Sequence, residues 1–277
     1  MKAEINLINV EDGDAILLML TDTNRKSLII IDGGFKKYYP KLKRRLQEVL
    51  PKFNNTIDLL VCTHYDNDHI GGVENILDDY HASVKEIWIH KIDHSMKKTA
   101  AFFEEKLSFF QDKTAGISSP ENIDNLKNIA AIERYQDLLR VVDKIKSYGL
   151  EDRITEAKHG DLFKKFPEFT VVGPSADFYN QNLAALKEEA ILEDVKKDLE
   201  SKIIDRNLLS EMIAEVLPQK VLNQNPCALL EKSSIRNGVS ATNMVSIVTM
   251  LKIGTKKFLL TGDSGIESFE KHTEDWK

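Results

Sequence analysis

Apolar residues in the first ninety positions cluster or alternate over lengths typical of β-strands, with turn-forming residues between them. This pattern predicts strands at Ala3–Val10, Ala15–Leu20, Ser27–Ile31, Ile57–Cys62 and Val84–Ile89. Two other segments, Tyr39–Leu50 and Val73–Tyr80, carry apolar residues at helical spacing. Because helices lie between strands, we expect a layered α/β architecture rather than separate all-α and all-β parts.

The remainder of the chain combines helical segments with a few strands. Residues 95–148 and 184–217 have apolar residues mostly at helical spacing and are predicted to be peripheral helical insertions. Strands are predicted at Arg153–Glu156, Phe169–Val172, Met244–Ile253 and Lys257–Leu260, the last two forming a hairpin. Since no repeat or linker interrupts the pattern, we expect residues 1–277 to form a single domain.

Composition narrows the class of protein without fixing its chemistry. The 277 residues are 42% hydrophobic and 30% charged, with a net charge of −6, which is typical of a globular protein and excludes a generally basic nucleic-acid coat. Neither a membrane-spanning run nor a signal peptide is evident, so we expect a cytoplasmic protein with no membrane partner. Cys62 and Cys227 lack metal-binding spacing, and Cys62 is expected in the core.

The segment from Thr63 to Gly72 is the most informative for chemistry. It places His64, Asp66, Asp68 and His69 directly after a buried strand and before a Gly-Gly pair. Imidazole and carboxylate bind divalent metals, and side chains converge at the carboxyl ends of strands in α/β proteins. The alternative is a polar turn in which Asp68 caps the following helix and the histidines face solvent.

This motif resembles the His-x-His-x-Asp-His signature of the metallo-β-lactamase fold hydrolases, with Asp66 in place of the second histidine. The variant looks like the hydrolase domain of the ComEC family of DNA-internalisation competence proteins and its free-standing relatives. Three further segments carry the narrower resemblance: Val10–Ala15, Ile31–Gly34, and the pair Asn243–Val248 and Phe258–Asp263. The resemblance implies a four-layer αββα sandwich, in which two mixed sheets pack face to face with helices outside.

The resemblance also implies roles for individual residues. His64 and Asp66 would bind one metal ion, Asp68 and His69 a second, and Asp263 would bridge both. Asp68 would be catalytic, since it anchors the second ion. Because a carboxylate replaces an imidazole, one or two ions of manganese or zinc are expected, with manganese favoured.

Two features depart from the family pattern. The family carries a His-His-Gly-Ser element beyond the Gly-Asp, and this C-terminal part is missing from the sequence, where His272 does not replace it. The family also has a mid-chain histidine, for which His90, His94 and His159 are candidates. His90 and His159 are kept as candidates for a further ligand, against the alternative that each is an ordinary structural histidine.

The resemblance implies a metal-dependent hydrolase, and we expect a phosphodiesterase or nuclease that acts on nucleic acid or a nucleotide through a metal-activated water. Two alternatives stay open: a catalytically incomplete binding or regulatory module, and a hydrolase of a small nucleotide. The basic run Lys36–Arg45 is either a solvated helix face or, if it borders the metal cleft, a surface for a phosphate backbone. The oligomeric state is left open.

Overall fold

The computed structural model of the chain describes residues 1–90, 138, 140–180 and 241–265, all of which belong to one compact unit. The predicted insertion at 184–217 and most of that at 95–148 lie outside the described residues. Of the latter, residues 140–147 are helical, as the sequence predicts. Within the described part of the chain, no helix is both long enough and apolar enough to cross a membrane.

A six-stranded mixed sheet forms the larger part of this unit, with its strands in sequence order. The strands are β1 (Lys2–Leu7), β2 (Ile16–Thr21), β3 (Lys26–Ile31), β4 (Leu59–Val61), β5 (Ile87–Trp88) and β6 (Ile154–Thr155). The first three strands are antiparallel, and β3 to β6 run parallel to one another. The predicted strands are therefore confirmed, although most are shorter than the apolar runs that indicate them.

A second, three-stranded sheet contains β7 (Phe169–Gly173), β8 (Val248–Ile253) and β9 (Lys256–Leu260). Its described strands are all antiparallel, so the expectation of a second mixed sheet is wrong. For β8 and β9 the cause is local, because their two-residue connection permits only an antiparallel hairpin. The strand predicted to start at Met244 begins instead at Val248, since Ala241–Met244 forms a helical turn.

The connections of the larger sheet contain helices. Helix α1 (Tyr39–Val49) lies between β3 and β4, and helices α2 (Asn67–Ile70) and α3 (Val73–Tyr80) lie between β4 and β5. Short 3₁₀ turns occupy Lys36–Tyr38, Leu50–Phe53, His81–Ser83 and Glu151–Arg153. Pro40 lies in the first turn of α1, where its missing N–H costs nothing. Leu42, Leu46 and Val49 then form its buried stripe.

The two sheets share one buried core. Alternate residues of β2, β3 and β4 meet residues of β7 and β8 in this cluster, and Trp88 of β5 stacks on Phe169 of β7 with ring centroids 5.9 Å apart. The opposite face of the larger sheet is also fully buried at Leu17, Ile30 and Leu60. Strands buried on both faces explain why β2 to β4 are near-continuous apolar runs.

Parallel pairing positions the functional loops. Ile31 of β3 lies opposite Val61 of β4, so both strands end at the same edge of the sheet. Asp32 follows the first of these strands and Thr63 follows the second, two residues beyond its end. The polar residues after each strand therefore meet at one edge, as in other α/β sheets.

A candidate metal centre

The site begins where β4 gives way to α2. His64, Tyr65 and Asp66 connect the two, and Asp68 and His69 lie within α2 itself. The alternative in which Asp68 caps the following helix is wrong, because Asp66 holds the cap position and Asp68 lies in the first turn. His64 and His69 are each only 1% exposed, so the solvent-facing alternative for these histidines is also wrong.

Two imidazoles and a carboxylate converge on one point. The rings of His64 and His69 lie 4.1 Å apart, and Nε2 of His69 is 3.3 Å from Oδ1 of Asp263. Ligand atoms of these three residues all lie within 4.8 Å of one another. The structure thus brings together residues separated by about two hundred positions in the sequence.

Asp66 and Asp68 flank this cluster. Oδ2 of Asp66 lies 3.9 Å from Nε2 of His64, and Oδ2 of Asp68 lies 3.9 Å from Nε2 of His69. Each carboxylate is therefore adjacent to the histidine with which the family resemblance pairs it. Their roles as ligands stay predictions.

Asp32 orients His64 and His69 through their Nδ1 atoms, on the side of each ring away from the candidate ligands. Its carboxylate accepts a hydrogen bond from Nδ1 of His69 over 2.9 Å and another from the Thr63 hydroxyl over 2.6 Å. Because that hydroxyl donates to Asp32, it accepts from Nδ1 of His64, 3.0 Å away. Both Nδ1 atoms are thus used within the protein, and both Nε2 atoms face carboxylates, those of Asp66 and Asp263.

The charges around His69 change its proton affinity. Burial lowers the pKa of His69, but the hydrogen bonds and negative charges of Asp263 and Asp32 outweigh that effect and raise the pKa to about 11. A positive charge is therefore stabilised at the place where the donors converge. A divalent cation would satisfy the same excess of negative charge.

Asp14 is a member of the site that the sequence interpretation did not assign. Together with Asp32 and His69 it forms a second group whose ligand atoms lie within 4.8 Å. Burial, followed by the nearby acidic groups, raises the pKa of its carboxyl, although His69 opposes this. The signal was present in the Gly13-Asp14-Ala15 turn, which carried the family resemblance but no residue role.

Glycines allow the site loops to approach closely. A Cβ on Gly13 would lie 2.0 Å from the backbone oxygen of Asp68, and the Asp14 N–H donates to that same oxygen over 3.2 Å. A Cβ on Gly72 would similarly lie 2.1 Å from the backbone oxygen of Gly33. Gly13 and Gly72 are therefore positions at which two backbone segments pack against each other.

Asp263 reaches the site from the end of β9. Gly262 precedes it with φ +51°. The segment before β8 is joined to the metal motif by a hydrogen bond from the Ile247 N–H to the Thr63 carbonyl over 2.8 Å. The Asn243 side chain lies 3.4 Å from Oδ2 of Asp263. The Asp263 side chain is 41% exposed, so the site opens to solvent on this side.

Neither candidate for a further histidine ligand joins these groups. His90 is fully buried, with Nε2 donating to the Ala157 carbonyl over 2.9 Å. His159 has Nδ1 3.1 Å from the Val172 carbonyl. In the described part of the chain, neither belongs to a cluster of metal-type donors, and a ligand role for either stays a prediction. His94 and His272 lie outside the described residues.

The donor set fits a divalent metal. Two ligand atoms bound to one ion at about 2.0–2.2 Å lie about 3–4 Å apart, and the separations of 3.3 and 3.9 Å fall in that range. Imidazole nitrogens combined with carboxylate oxygens are donors that bind divalent ions such as zinc or manganese. Cys62 is buried in the core, as predicted.

Comparison with family models identifies the class. The model of the metallo-beta-lactamase superfamily matches residues 13–162, which include Asp14, Asp32 and the whole of the His64–His69 motif. This match covers more than half of the 277 residues, and the chain belongs to the metallo-beta-lactamase superfamily. A search of curated proteins gives no match. Membership in the superfamily and the grouped ligands together suggest a metal-dependent hydrolase.

Proposed function

We propose that this protein is a metal-dependent phosphodiesterase, with nucleic acid as its substrate. The observation that carries the proposal is the convergence of His64, His69 and Asp263 at an edge of the sheet that opens to solvent. An open approach suits a polymeric substrate better than an enclosed pocket does. The narrower relationship to the ComEC hydrolase domains rests on the sequence motifs and belongs to this proposal.

The residues of the site would have two roles, metal binding and the positioning of the metal ligands. His64 and Asp66 would hold one ion, Asp68 and His69 a second, with Asp263 between them. When bound, the metal would supply Lewis acidity that activates a water and stabilises charge on the phosphoryl oxygens. Asp32 positions the histidines, directly at His69 and through Thr63 at His64.

Four expectations about the whole chain belong to the same proposal. We propose that residues 1–277 form one domain and that its layers follow the αββα order of the superfamily. A cytoplasmic location and the absence of a membrane partner stay predictions from the sequence.

The test is hydrolysis of bis-p-nitrophenyl phosphate, of single-stranded DNA and of RNA, each with added manganese or zinc. We expect turnover that depends on the metal and falls at least a hundredfold in Asp68→Asn. The matched control is Asp143→Asn, which removes the same charge from an exposed position in the helix at 140–147. Equal turnover in Asp68→Asn and the control would contradict the proposal, as would no turnover by the metal-supplemented wild type.

A further inference from the structure

The basic run Lys36–Arg45 is not uniformly available to a partner. Lys36 pairs with Glu74 at 2.9 Å, and Lys43 pairs with Asp79 at 2.8 Å. Arg45 contacts Glu48, Glu4 and the side chain of Asn6. These three cations are largely neutralised by the protein itself.

Three other cations in the run have no such acid. Among the described residues, no carboxylate forms an ion pair with Lys37, Lys41 or Arg44, which are all exposed and which we call the basic stripe. Their spacing of four and then three residues places them on one side of the helical segment. At 1.5 Å per residue they span about 11 Å, over which one nucleic-acid strand presents about three phosphates.

Aromatic rings position part of the stripe. The Lys37 ammonium lies 4.7 Å from the centre of the Tyr38 ring and 5.3 Å from that of Phe35. The Lys41 ammonium lies 4.6 Å from the Tyr38 ring and donates to the Asn9 carbonyl over 3.0 Å. Cation–π contacts orient an ammonium group without neutralising it, so these charges stay available to an anion.

The stripe lies close along the chain to the candidate metal centre. Lys37, its first residue, is five residues beyond Asp32, which bonds His69, and five residues span at most about 18 Å. The Gly34 carbonyl accepts a hydrogen bond from the Gly72 N–H over 2.7 Å, just after the metal motif. Asn9, which holds Lys41, directly precedes the Val10–Asp14 turn that packs on Asp68. A nucleic-acid strand lying along the basic stripe would therefore reach the loops of the candidate metal centre.

We propose that Lys37, Lys41 and Arg44 bind the phosphate backbone of a nucleic-acid strand and guide it to the metal centre. This inference rests on the proposed function, which it deepens by naming the surface that recognises a polymeric substrate. The occupant follows from charge complementarity, since three cations in a row match a row of phosphates. A mononucleotide would engage one of the three at most.

The test uses the full chain and a fluorescein-labelled single strand of twelve nucleotides, with EDTA present to prevent hydrolysis. The stripe variant is Lys37→Gln/Lys41→Gln/Arg44→Gln. The matched control, Lys85→Gln/Lys146→Gln/Lys257→Gln, removes three exposed lysines elsewhere. Each takes the formal net charge from −6 to −9, because three positive charges are lost. A third variant, Lys37→Arg/Lys41→Arg/Arg44→Lys, keeps the charge.

By fluorescence anisotropy at low salt, we expect the stripe variant to bind at least tenfold more weakly than the wild type, and the other two variants to bind like the wild type. The plot of log Kd against log salt should become shallower by about two in the stripe variant, at about 0.7 per phosphate contact. Equal binding by the stripe and control variants would overturn the inference. So would failure of the wild type to bind, or equal competition by polyglutamate.

The same proteins are assayed with bis-p-nitrophenyl phosphate, which is too small to use the stripe. Turnover unchanged in the stripe variant, together with weakened oligonucleotide binding, supports both proposals. Stripe-dependent binding without any metal-dependent turnover would overturn the proposed function alone. Turnover with stripe-independent binding would overturn the inference alone.

Discussion

Asp32 and His69, 37 residues apart in the sequence, are joined by a buried hydrogen bond of 2.9 Å between a carboxylate oxygen and Nδ1. The same carboxylate holds the Thr63 hydroxyl, which in turn contacts His64. One buried acid thus fixes two imidazoles whose other nitrogens face the candidate ligands. Such outer partners determine ring orientation and ligand basicity at metal centres.

Replacement of Asp32 by Asn should therefore weaken metal binding without abolishing the fold. Asn tolerates the left-handed backbone at this position, where φ is +59°, but its neutral amide accepts more weakly from both partners. We expect manganese affinity to fall about 10–100-fold, measured by calorimetric titration. Asp143→Asn is the control, and unchanged affinity in a folded Asp32→Asn protein would show that the histidines need no such support.

Gly13→Ala should disturb the metal motif, which is far from Gly13 in the sequence but in contact with it in the fold. The new methyl group would lie 2.0 Å from the Asp68 backbone oxygen, so either the Val10–Asp14 turn or the motif must move. We expect a loss of about 1–3 kcal/mol in the free energy of unfolding, measured in urea, together with weakened metal binding. The control is Gly149→Ala, in which the new methyl group meets nothing within 4 Å. In this variant the free energy of unfolding should fall but the metal affinity should stay that of the wild type. Wild-type metal affinity in Gly13→Ala would refute the claimed contact.

His90 should make the protein sensitive to mild acid. Burial lowers the pKa of His90 to about 4, and the positive charge of Lys158 adds to this against the opposing hydrogen bond to Ala157. The folded-state pKa lies below the unfolded value of about 6.5, so the stabilising contribution is complete above pH 6.5 and is lost as the pH falls towards 4.

The comparison that isolates this effect is wild type against His90→Gln, which keeps a side-chain donor for Ala157. Below pH 6.5, the wild type should lose up to about 1.4 kcal/mol of unfolding free energy per pH unit more than the variant. Urea titrations at pH 7 and pH 5 measure it. Parallel pH dependence of the two proteins would show that His90 does not stay neutral in the folded state.

Contact between the two sheets should contribute strongly to stability. Phe169 is fully buried and stacks on Trp88 across the shared core. Phe169→Ala should cost about 3–5 kcal/mol of unfolding free energy, since it leaves a cavity between the sheets. Phe258→Ala, at a partly exposed position of β9, is the comparison and should cost much less. Similar losses in both variants would contradict this account of the core.

The hydrophobic pattern predicts the strands well because β2, β3 and β4 are buried on both faces and read as short apolar runs. Periodicity fails near Met244, which belongs to a helical turn, so that the strand predicted to start there begins at Val248. Short apolar runs do not distinguish the two states, and here the hydrogen bond from Ile247 to Thr63 decides where the strand starts. That contact depends on the tertiary fold.

Some residues of the candidate site can also be predicted from the sequence, and others cannot. His64, Asp66, Asp68 and His69 are recognisable because they fall within six positions directly after a strand, and Asp263 is recognisable through a family resemblance. The placement of Asp14 and Asp32 depends on which loops cross at the sheet edge, which local sequence does not specify. Close approach at Gly13 and Gly72 is equally a property of the folded chain.

The most direct test of the central claim is the metal content of the wild type and of Asp263→Asn, determined by elemental analysis after equilibration with manganese or zinc. Asp263 lies 3.3 Å from Nε2 of His69 and is the one proposed ligand supplied by the smaller sheet. If these residues form a metal centre, the wild type binds at least one ion per chain and Asp263→Asn loses most of it, while Asp143→Asn does not. Equal metal content in wild type and Asp263→Asn would contradict the assignment of this site.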